Sequence, residues 1–373
     1  MATDEKKYWL GFNRVKGIGP AKLQAILGYF GSAEKAWQAS PEQLEAIGVD
    51  VRTIQSFVET RNTADLDQWF AQTIDSNITI LTWDSADYPD LLRQIAAPPP
   101  VLYVRGQLEP VDQWAVAVVG TRRLSAYGKV ITREIVSGLV TNGITIVSGM
   151  ARGIDAIAHR TALELNGRTI GVLGSGIDEL YPPEHKKLAE QICDGQGAII
   201  SEYSLGTPPE SRNFPARNRV ISGLSLGVVV VEAGERSGAL ITSRFAVEQD
   251  REVFAIPGNI NSPVSLGTNR LIQEGAKLVT GIDDILDELN LRMVAEQTEL
   301  LTAVPDSAEE AALLAQLSTS PIHIDELCRL SGLSSAIVGG TLTLMELKGM
   351  VQQVGGMNYV RIREAGPEYD TGA

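Results

Sequence analysis

Arginine and glycine recur together in four short segments that follow predicted strands. The segments are Gly120–Gly128 (GTRRLSAYG), Ser148–Asp155 (SGMARGID), Phe214–Arg219 (FPARNR) and Glu232–Gly238 (EAGERSG). Glycine allows the backbone to approach a ligand closely, and guanidinium groups donate paired hydrogen bonds to phosphate oxygens. The four segments together predict a site for a phosphate-bearing ligand.

The individual segments indicate how such a ligand would be held. Gly120–Gly128 would open a helix whose amides and dipole favour an anion, and Arg122 and Arg123 add side-chain donors. Arg152 would lie over the N-terminus of the following helix. Phe214 would stack on a nucleobase beside arginines, a combination that single-strand binders use.

Each of these features also has a plainer structural interpretation. Glycine after a strand is ordinary turn chemistry, and surface arginines usually only solvate a face. Phe214 could instead pack beside Pro215. His159 lies one helical turn after Asp155, and a histidine on a helix face is more often hydrogen-bonded within the protein than catalytic.

Motifs that would support an enzymatic reaction are missing from the sequence. There is no GxxxxGK[ST] phosphate loop, no GxSxG elbow and no HExxH helix. Gly174 and Gly176 begin a dinucleotide-binding pattern, but Glu179 stands where its third glycine belongs. Cys193 and Cys328 lie far apart, which favours two buried thiols over a disulfide or a zinc site. We therefore expect no catalytic residue, no metal and no cofactor.

The charge distribution permits a nucleic-acid ligand although the chain as a whole is acidic. The formal net charge is −14, but residues 115–260 contain 15 Lys and Arg against 15 Asp and Glu, so the acidic excess lies outside this segment. No apolar run approaches the roughly 18 residues of a membrane-spanning helix, and the N-terminus lacks a signal-peptide core. We expect a cytoplasmic protein without a membrane segment.

The elements that must position the four segments alternate between short apolar runs and amphipathic stretches. Strands are predicted at 78–82, 101–105, 114–119, 144–148, 169–173, 198–202, 227–232, 252–256 and 277–280, with helices that include 127–141 and 154–165. This alternation predicts an α/β fold with an extended Rossmann-like, doubly wound sheet. In such sheets ligands bind beyond the carboxyl ends of the strands.

The flanking regions have a different character, so the sequence predicts three domains. They are a small helical domain of the SAM or helix-hairpin-helix type at 1–64, the α/β domain at 65–298 and a winged-helix domain with a short tail at 308–373. A linker at 299–307 joins the second domain to the third. The winged-helix prediction rests on three short helical stretches followed by a hairpin at Gly355–Gly356.

Neither flanking domain carries a clear DNA-binding signal. Gly17–Gly19 resembles a helix-hairpin-helix turn that would hold a DNA phosphate with help from Lys16 and Lys22, although structural packing is the alternative. The predicted recognition helix, Ser334–Leu347, has no basic residue until Lys348. Major-groove reading needs Arg, Lys, Asn or Gln on that helix, so an accessory or protein-contact role is favoured over duplex recognition.

Several long motifs resemble those of the DprA/Smf family of bacterial DNA-processing proteins. They are GTRRLSAYG at 120–128, SGMARGIDAIAH at 148–159, FPARNRVISGLS at 214–225, VVVEAGERSGALIT at 229–242, REVFAIPG at 251–258 and SLGTNRLIQEGA at 265–276. YPDLLRQI at 88–95 and PVLYVRGQL at 100–108 also fit the family. The resemblance therefore covers nearly the whole chain.

The resemblance implies a homodimer that coats incoming single-stranded DNA and loads the recombinase RecA during natural transformation and recombination. It places the DNA pocket at Arg122, the Gly149–Asp155 loop, the basic position Arg168 before the third strand, and the arginines of FPARNR. The complete set of candidate DNA-binding residues is Arg122, Arg123, Ser148, Gly149, Met150, Ala151, Arg152, Gly153, Asp155, Arg168, Phe214, Arg217, Asn218, Arg219, Ser237 and Gly238.

Two other functions remain open at this point. A nucleotide-binding hydrolase of the phosphoribohydrolase type would also end its strands with glycine-rich loops that hold phosphates. Its compact PGGxGT pattern is absent from Pro257–Thr268, which lacks the adjacent second glycine. A structural adaptor acting through the winged helix would bind no DNA at all.

Overall fold

The computed structural model describes residues 5–291, 307–317, 322–347, 351–354 and 357–361. The chain divides into two units, Met1–Asn290 and Leu291–Ala373. The predicted boundary between residues 64 and 65 falls inside the first unit and stays a prediction. Three features discussed from the sequence lie outside the described residues. They are the predicted linker up to residue 306, the residue Lys348 and the predicted turn at Gly355–Gly356.

Nine strands form a single sheet in the first unit, and all nine predicted strands are confirmed with ends shifted by one or two residues. They are β1 (Thr79–Thr82), β2 (Val101–Gly106), β3 (Ala115–Val119), β4 (Thr145–Ser148), β5 (Thr169–Val172), β6 (Gly197–Ser201), β7 (Gly227–Val230), β8 (Glu252–Ala255) and β9 (Lys277–Leu278). Their order across the sheet is β1-β2-β6-β5-β4-β3-β7-β8-β9.

The strand pairing confirms the doubly wound Rossmann-like topology. Strands β3 to β9 are parallel, whereas β2 runs antiparallel to β6 and β1 antiparallel to β2. From β3 the chain adds β4, β5 and β6 on one side and then returns to place β7 on the other side. The strand order therefore reverses between β3 and β7, and this switch point is where such sheets bind ligands.

Both faces of the sheet are buried, which explains why its strands read as continuous apolar runs. Along β2, Val101 and Tyr103 belong to one hydrophobic core, while Leu102 and Val104 belong to the other. Because successive side chains of a strand point to opposite faces, the two cores lie on opposite sides of the sheet. The first core also contains the N-terminal helices, so these helices cover one face.

The helical character predicted for the N-terminal region is confirmed. Its helices are Lys6–Arg14, Pro20–Phe30, Ala33–Trp37, Pro41–Ala46, Val51–Thr63 and Leu66–Asp75. They enclose an aromatic cluster in which the Phe12 ring lies 5.2 Å from that of Trp37 and 5.7 Å from that of Phe57. Lys22, a candidate phosphate ligand, instead lies 2.5 Å from the carboxylate of Asp50.

Helices fill the connections between the strands. They are Asp90–Arg93, Ala126–Thr141, Ile154–Glu164, Lys186–Cys193, Asn213–Gly223, Ala239–Glu248, Leu266–Gln273 and Asp283–Glu288. The predicted helices at 127–141 and 154–165 are among them. Ser125 begins the first of these two, because its hydroxyl accepts a hydrogen bond from the Gly128 amide at 3.0 Å.

The second unit has the elements of a winged helix. Its helices are Ala308–Leu314, Ile324–Ser331 and Ser335–Leu347, and its strands are β10 (Ile322–His323), β11 (Val351–Gln353) and β12 (Asn358–Arg361). Strand β12 pairs antiparallel with both β10 and β11. Leu327, Val338 and Leu342 are fully buried between the helices and hold them together.

The length and polarity of the helices in the described part of the chain show whether any of them could span a membrane. No single helix there is long and apolar enough to cross a bilayer. Helices Ile324–Ser331 and Ser335–Glu346 reach the length and composition of a span only as a pair, which is bent by 111°.

The close approach of β2 to β6 generates a test of the fold. Gly106 has a φ of +90°, and a Cβ there would lie 2.4 Å from the Gly197 carbonyl oxygen. Gly31 has a similar φ of +80° but nothing within 4 Å of a Cβ, so it is the matched control. Gly31→Ala should lower the free energy of unfolding by about 1 kcal/mol from backbone strain alone.

Gly106→Ala should lower the free energy of unfolding by about 1–3 kcal/mol more than Gly31→Ala does, because the sheet must also shift. Urea denaturation of both variants measures the difference. Equal losses would show that the two strands are not packed as described.

Candidate nucleic-acid interface

A crevice of about 890 Å³ lies at the switch point, beyond the carboxyl ends of β3 and β7. The loops after β3 and β7 form its walls together with the start of helix Asn213–Gly223. The predicted residues that line it are Arg122, Arg123, Ala151, Asp155, Phe214, Arg217, Asn218, Ser237 and Gly238. Gly149 and Arg152 line a small adjoining recess. The structure therefore brings most of the candidate residues together.

Arg217 stabilises the loops of the crevice from inside. Its side chain is only 5% exposed, and its guanidinium donates to the carbonyl oxygens of Gly149, at 2.8 Å, and Val172. Burial lowers the pKa of Arg217 to about 10, and the nearby carboxylate of Asp155 opposes that change. The group stays charged at neutral pH, and its Nε and Nη1 donate within the protein, to Asn218 and to the two carbonyl oxygens.

Asp155 is the buried counterpart of Arg217. Its carboxylate accepts hydrogen bonds from the amides of Gly149 at 3.1 Å and Ala151 at 3.2 Å. Burial raises the pKa of Asp155, while the Arg217 charge lowers it. A Cβ on Gly149 would lie 2.8 Å from both the Arg217 guanidinium and the Asp155 carboxylate, so only glycine fits between them.

The helix N-terminus after β3 is already occupied by an anion of the protein itself. The Glu232 carboxylate accepts hydrogen bonds from the Ser125 amide at 2.9 Å and the Ser125 hydroxyl at 2.5 Å. Glu232 is only 2% exposed, and a Cβ on Gly128 would lie 2.2 Å from it. The Ser125 amide is therefore not available to a ligand anion, and binding of an anion by the other amides of Gly120–Gly128 stays a prediction.

Three exposed arginines remain at the crevice. Arg122, Arg123 and Arg236 line it, and within the described part of the chain no carboxylate forms an ion pair with any of them. Arg152 differs, since its Nε donates to the carboxylate of Glu184. Positive charge for a ligand is therefore supplied mainly by the loops after β3 and β7.

Two aromatic rings lie beside these arginines. The ring of Phe214 lies 5.7 Å from that of Tyr181, and the Arg122 guanidinium carbon lies 5.8 Å from the Phe214 centroid. Phe214 is half-buried and Tyr181 is 37% exposed, so both rings present surface to the crevice. A flat, partly exposed aromatic pair beside a guanidinium offers a stacking surface to a nucleobase.

Tyr181 and Arg236 line the crevice but are not in the set of candidate DNA-binding residues, although Arg236 belongs to a segment predicted to bind phosphate. Arg236 stands between glycines in the EAGERSG segment, so the signal that selected Ser237 and Gly238 was sufficient to select it. Tyr181 follows β5 in a loop whose Tyr-Pro-Pro sequence gives no indication of where the ring points. Only the fold shows that this loop reaches the crevice.

Arg168 does not join the other arginines, so its predicted place in the pocket is wrong. It precedes β5 and therefore lies at the amino edge of the parallel strands, opposite the crevice. Its guanidinium bonds both oxygens of Asp112 at 2.8 Å and Glu109 at 2.6 Å. Its charge is neutralised by these carboxylates.

The remaining candidates support the loops and do not line the cavity. Arg219 makes a bidentate pair with Glu202, at 2.7 Å for each contact. Ser148 and Met150 are fully buried. Gly153 has a φ of +83°, and a Cβ there would lie 2.2 Å from the Thr121 carbonyl oxygen. These residues shape the crevice without facing a ligand.

His159 is a buried neutral histidine. Its Nδ1 lies 2.7 Å from Thr169 Oγ1, and that hydroxyl itself donates to the Ile146 carbonyl, so Nδ1 is the donor to Thr169. Burial, with smaller contributions from nearby His185 and Arg217, lowers the pKa of His159 to about 3. The helix-face interpretation fits this environment better than a catalytic base does.

Comparison with known proteins identifies the family. The sequence model of the family described as DNA recombination-mediator protein A matches residues 79–290, and that of the DprA winged helix domain matches residues 297–357. The chain belongs to the DprA/Smf family. The winged-helix prediction for the C-terminal part is confirmed by the second match.

Curated relatives extend the match over almost the full length. Protein Smf of Synechocystis is 37% identical over 398 aligned positions, which cover 97% of this chain and 100% of the relative. Protein Smf of Escherichia coli is 39% identical, with 88% and 90% covered. DNA processing protein DprA of Streptococcus pneumoniae is 46% identical over 54% of this chain and 71% of the relative.

Two DprA/Smf structures are similar to this one. That of DNA processing protein A from Streptococcus pneumoniae has a TM-score of 0.67 and 37% identity, and covers 76% of this chain and 97% of that one. That of DNA processing protein A from Helicobacter pylori has a TM-score of 0.52 and 32% identity, and covers 58% and 97%. The Helicobacter pylori structure was solved to give insight into that protein's single-stranded DNA binding mode.

The environment of His159 gives a pH-dependent prediction. Its pKa is about 3 in the folded protein, against about 6.5 in the unfolded chain, so only the unfolded state takes up this proton between those values. The contribution of neutral His159 to the free energy of unfolding is therefore fully present above pH 6.5. It is lost as the pH falls below that value, by up to about 1.4 kcal/mol per pH unit.

His159→Gln removes this titration while leaving the other groups in place. The difference in unfolding free energy between the native protein and the variant should narrow steadily from pH 7 to pH 5 in urea denaturation. A difference that is constant over this range would mean that His159 is not buried in neutral form.

Proposed function

We propose that this protein binds single-stranded DNA across the crevice without reading its sequence. The observation that carries the proposal is the arrangement of Arg122, Arg123 and Arg236 around the rings of Phe214 and Tyr181 at the switch point. The DNA-binding mode of the Helicobacter pylori relative supports it. So does membership of a family of DNA-processing proteins.

The crevice differs in its charge from the cavity beside helix Ala239–Glu248. Its charged lining residues are Arg122, Arg123, Arg217, Arg236 and Asp155, an excess of arginine over carboxylate. A cavity of similar size beside helix Ala239–Glu248 contains four arginines and four carboxylates, so its charges balance. A polyanion is attracted by the excess positive charge of the crevice and not by the balanced charges of the other cavity.

Two kinds of contact in the crevice would contribute to DNA binding. The exposed guanidinium groups neutralise phosphates, which gives affinity that depends on salt. Phe214 and Tyr181 offer π-faces that every base can stack on, so the contact tolerates all sequences. Stacking needs unpaired bases, and this favours single strands over duplex.

The position of Glu232 argues against the phosphoribohydrolase alternative. At the helix N-terminus after β3, the Glu232 carboxylate accepts hydrogen bonds from the Ser125 amide and hydroxyl, so this amide is not available to a nucleotide phosphate. Among the described residues no group of His, Cys, Asp and Glu has the arrangement of a metal site. We propose a binding role without catalysis, which is supported by the description of the family as a recombination mediator.

We further propose that the protein acts as a homodimer in the cytoplasm and loads RecA onto the bound strand. These proposals rest on family membership, since the relatives are named as DNA processing proteins and the family as a recombination mediator. A recombinase must assemble on single-stranded DNA that is kept unpaired by bound protein. Binding that does not depend on the DNA sequence fits this role.

The test of DNA binding uses the rim arginines. Replacing Arg122, Arg123 and Arg236 together by Ala should weaken binding of oligo(dT) and of a mixed-sequence strand alike, because each arginine–phosphate hydrogen bond contributes about 1.5–3 kcal/mol at low salt. The slope of log affinity against log salt should flatten by about 1 for each phosphate that is no longer neutralised. Fluorescence anisotropy at several salt concentrations measures both.

Arg133→Ala is the matched control, because Arg133 is exposed on helix Ala126–Thr141 outside the crevice. It should leave the affinity and its salt dependence unchanged, and Arg168→Ala should do the same while lowering stability. Unchanged affinity in the triple variant, or an equal loss of affinity in the control, would refute the assigned interface.

A further inference from the structure

A second cavity, of about 500 Å³, lies at the amino edge of the sheet. Its walls are the segment 86–91 and the turn 108–114, and its floor lies at the starts of β3, β5 and β7. Trp114 directly precedes β3 and Leu226 directly precedes β7. The cavity is therefore at the opposite end of the strands from the crevice, so occupants of the two sites do not exclude each other.

The floor of this groove is apolar and partly exposed. Leu91, Leu108, Trp114 and Leu226 line it and are each only half-buried. The Trp114 indole N–H has no hydrogen-bond partner among the described residues. A concave apolar surface with one aromatic ring and an available donor suits an apolar side chain next to a peptide carbonyl.

The rim of the groove is acidic. The charged residues that line it are Asp87, Asp90, Glu109 and Asp112, and no Lys, Arg or His lines it. Asp112 is saturated by Arg168, Thr145 and the Glu109 amide, so it only shapes the turn. Glu109 is likewise paired with Arg168, at 2.6 Å. Asp90 lies 3.8 Å from the Arg93 Nε but is 91% exposed, and Asp87 is exposed as well, so these two carboxylates are the ones accessible to a ligand.

The groove is formed before any ligand arrives. Arg93 donates to the carbonyl oxygens of Trp83, Ser85 and Tyr88, which fixes the segment that carries Asp87 and Asp90. The Tyr88 hydroxyl donates to Pro99 at 2.8 Å. Because these walls are already ordered, binding would lose little conformational entropy.

We propose that this groove docks a basic amphipathic segment of a partner protein, with apolar side chains on the floor and Lys or Arg against the rim. Charge complementarity selects this partner. Nucleic acid and anionic lipid would be repelled by the carboxylates, and an acidic peptide would be repelled likewise. A polyamine would use the rim but would leave the apolar floor unfilled.

The test uses full-length protein and a fluorescein-labelled peptide built from leucine and lysine. A peptide of equal length and charge, built from serine and lysine, reports attraction to charge alone. Asp87→Asn combined with Asp90→Asn should weaken binding of the leucine peptide by about five- to tenfold in fluorescence anisotropy. The serine peptide should bind at least about tenfold more weakly to the native protein.

The matched control is Glu42→Gln combined with Glu45→Gln, which removes the same charge from an exposed N-terminal helix. It should leave binding of the leucine peptide unchanged, and excess oligo(dT) should not displace the peptide. Equal weakening in both double variants, equal affinity for the two peptides, or displacement by oligo(dT) would each overturn the proposal. Circular dichroism of the variants confirms that the fold is intact.

Discussion

Two buried carboxylates determine which charged groups at the carboxyl edge of the sheet remain available to a ligand. Glu232 accepts hydrogen bonds from the Ser125 amide and hydroxyl at the start of the helix after β3, and Asp155 holds the loop after β4 through two backbone amides. Arg217 lies against the same loop and is too buried to leave it. With these groups bonded within the protein, the positive charge that remains exposed at the crevice lies on Arg122, Arg123 and Arg236.

This arrangement explains how an acidic protein can bind a polyanion. Charges near a ligand act over roughly one Debye length, about 8 Å at physiological salt, so the local lining outweighs the total. The crevice has an excess of arginine, whereas the groove at the amino edge is lined only by carboxylates among its charged residues. The sheet thus separates two surfaces of opposite charge, and each would repel the ligand proposed for the other.

The strands could be predicted from the sequence because continuous apolar runs between helices specify a parallel sheet. The edge of the sheet at which the site lies could be predicted as well, because such sheets bind ligands at one edge. The partner of each arginine could not be predicted. Arg122 and Arg217 look alike as arginines of predicted loops, yet one is exposed and the other is buried against Gly149. The prediction for Arg168 was wrong because its neighbours in space, Glu109 and Asp112, lie more than fifty positions earlier in the chain.

The most direct measurement of the central claim is photochemical cross-linking of the full-length protein to oligo(dT) containing 5-iododeoxyuridine, followed by mass spectrometry of the cross-linked peptides. Iodouracil reacts with aromatic rings stacked on it. The account predicts cross-links at Phe214 or Tyr181 that decline as salt is raised. Cross-links confined to the N-terminal helices or to the winged helix would contradict it.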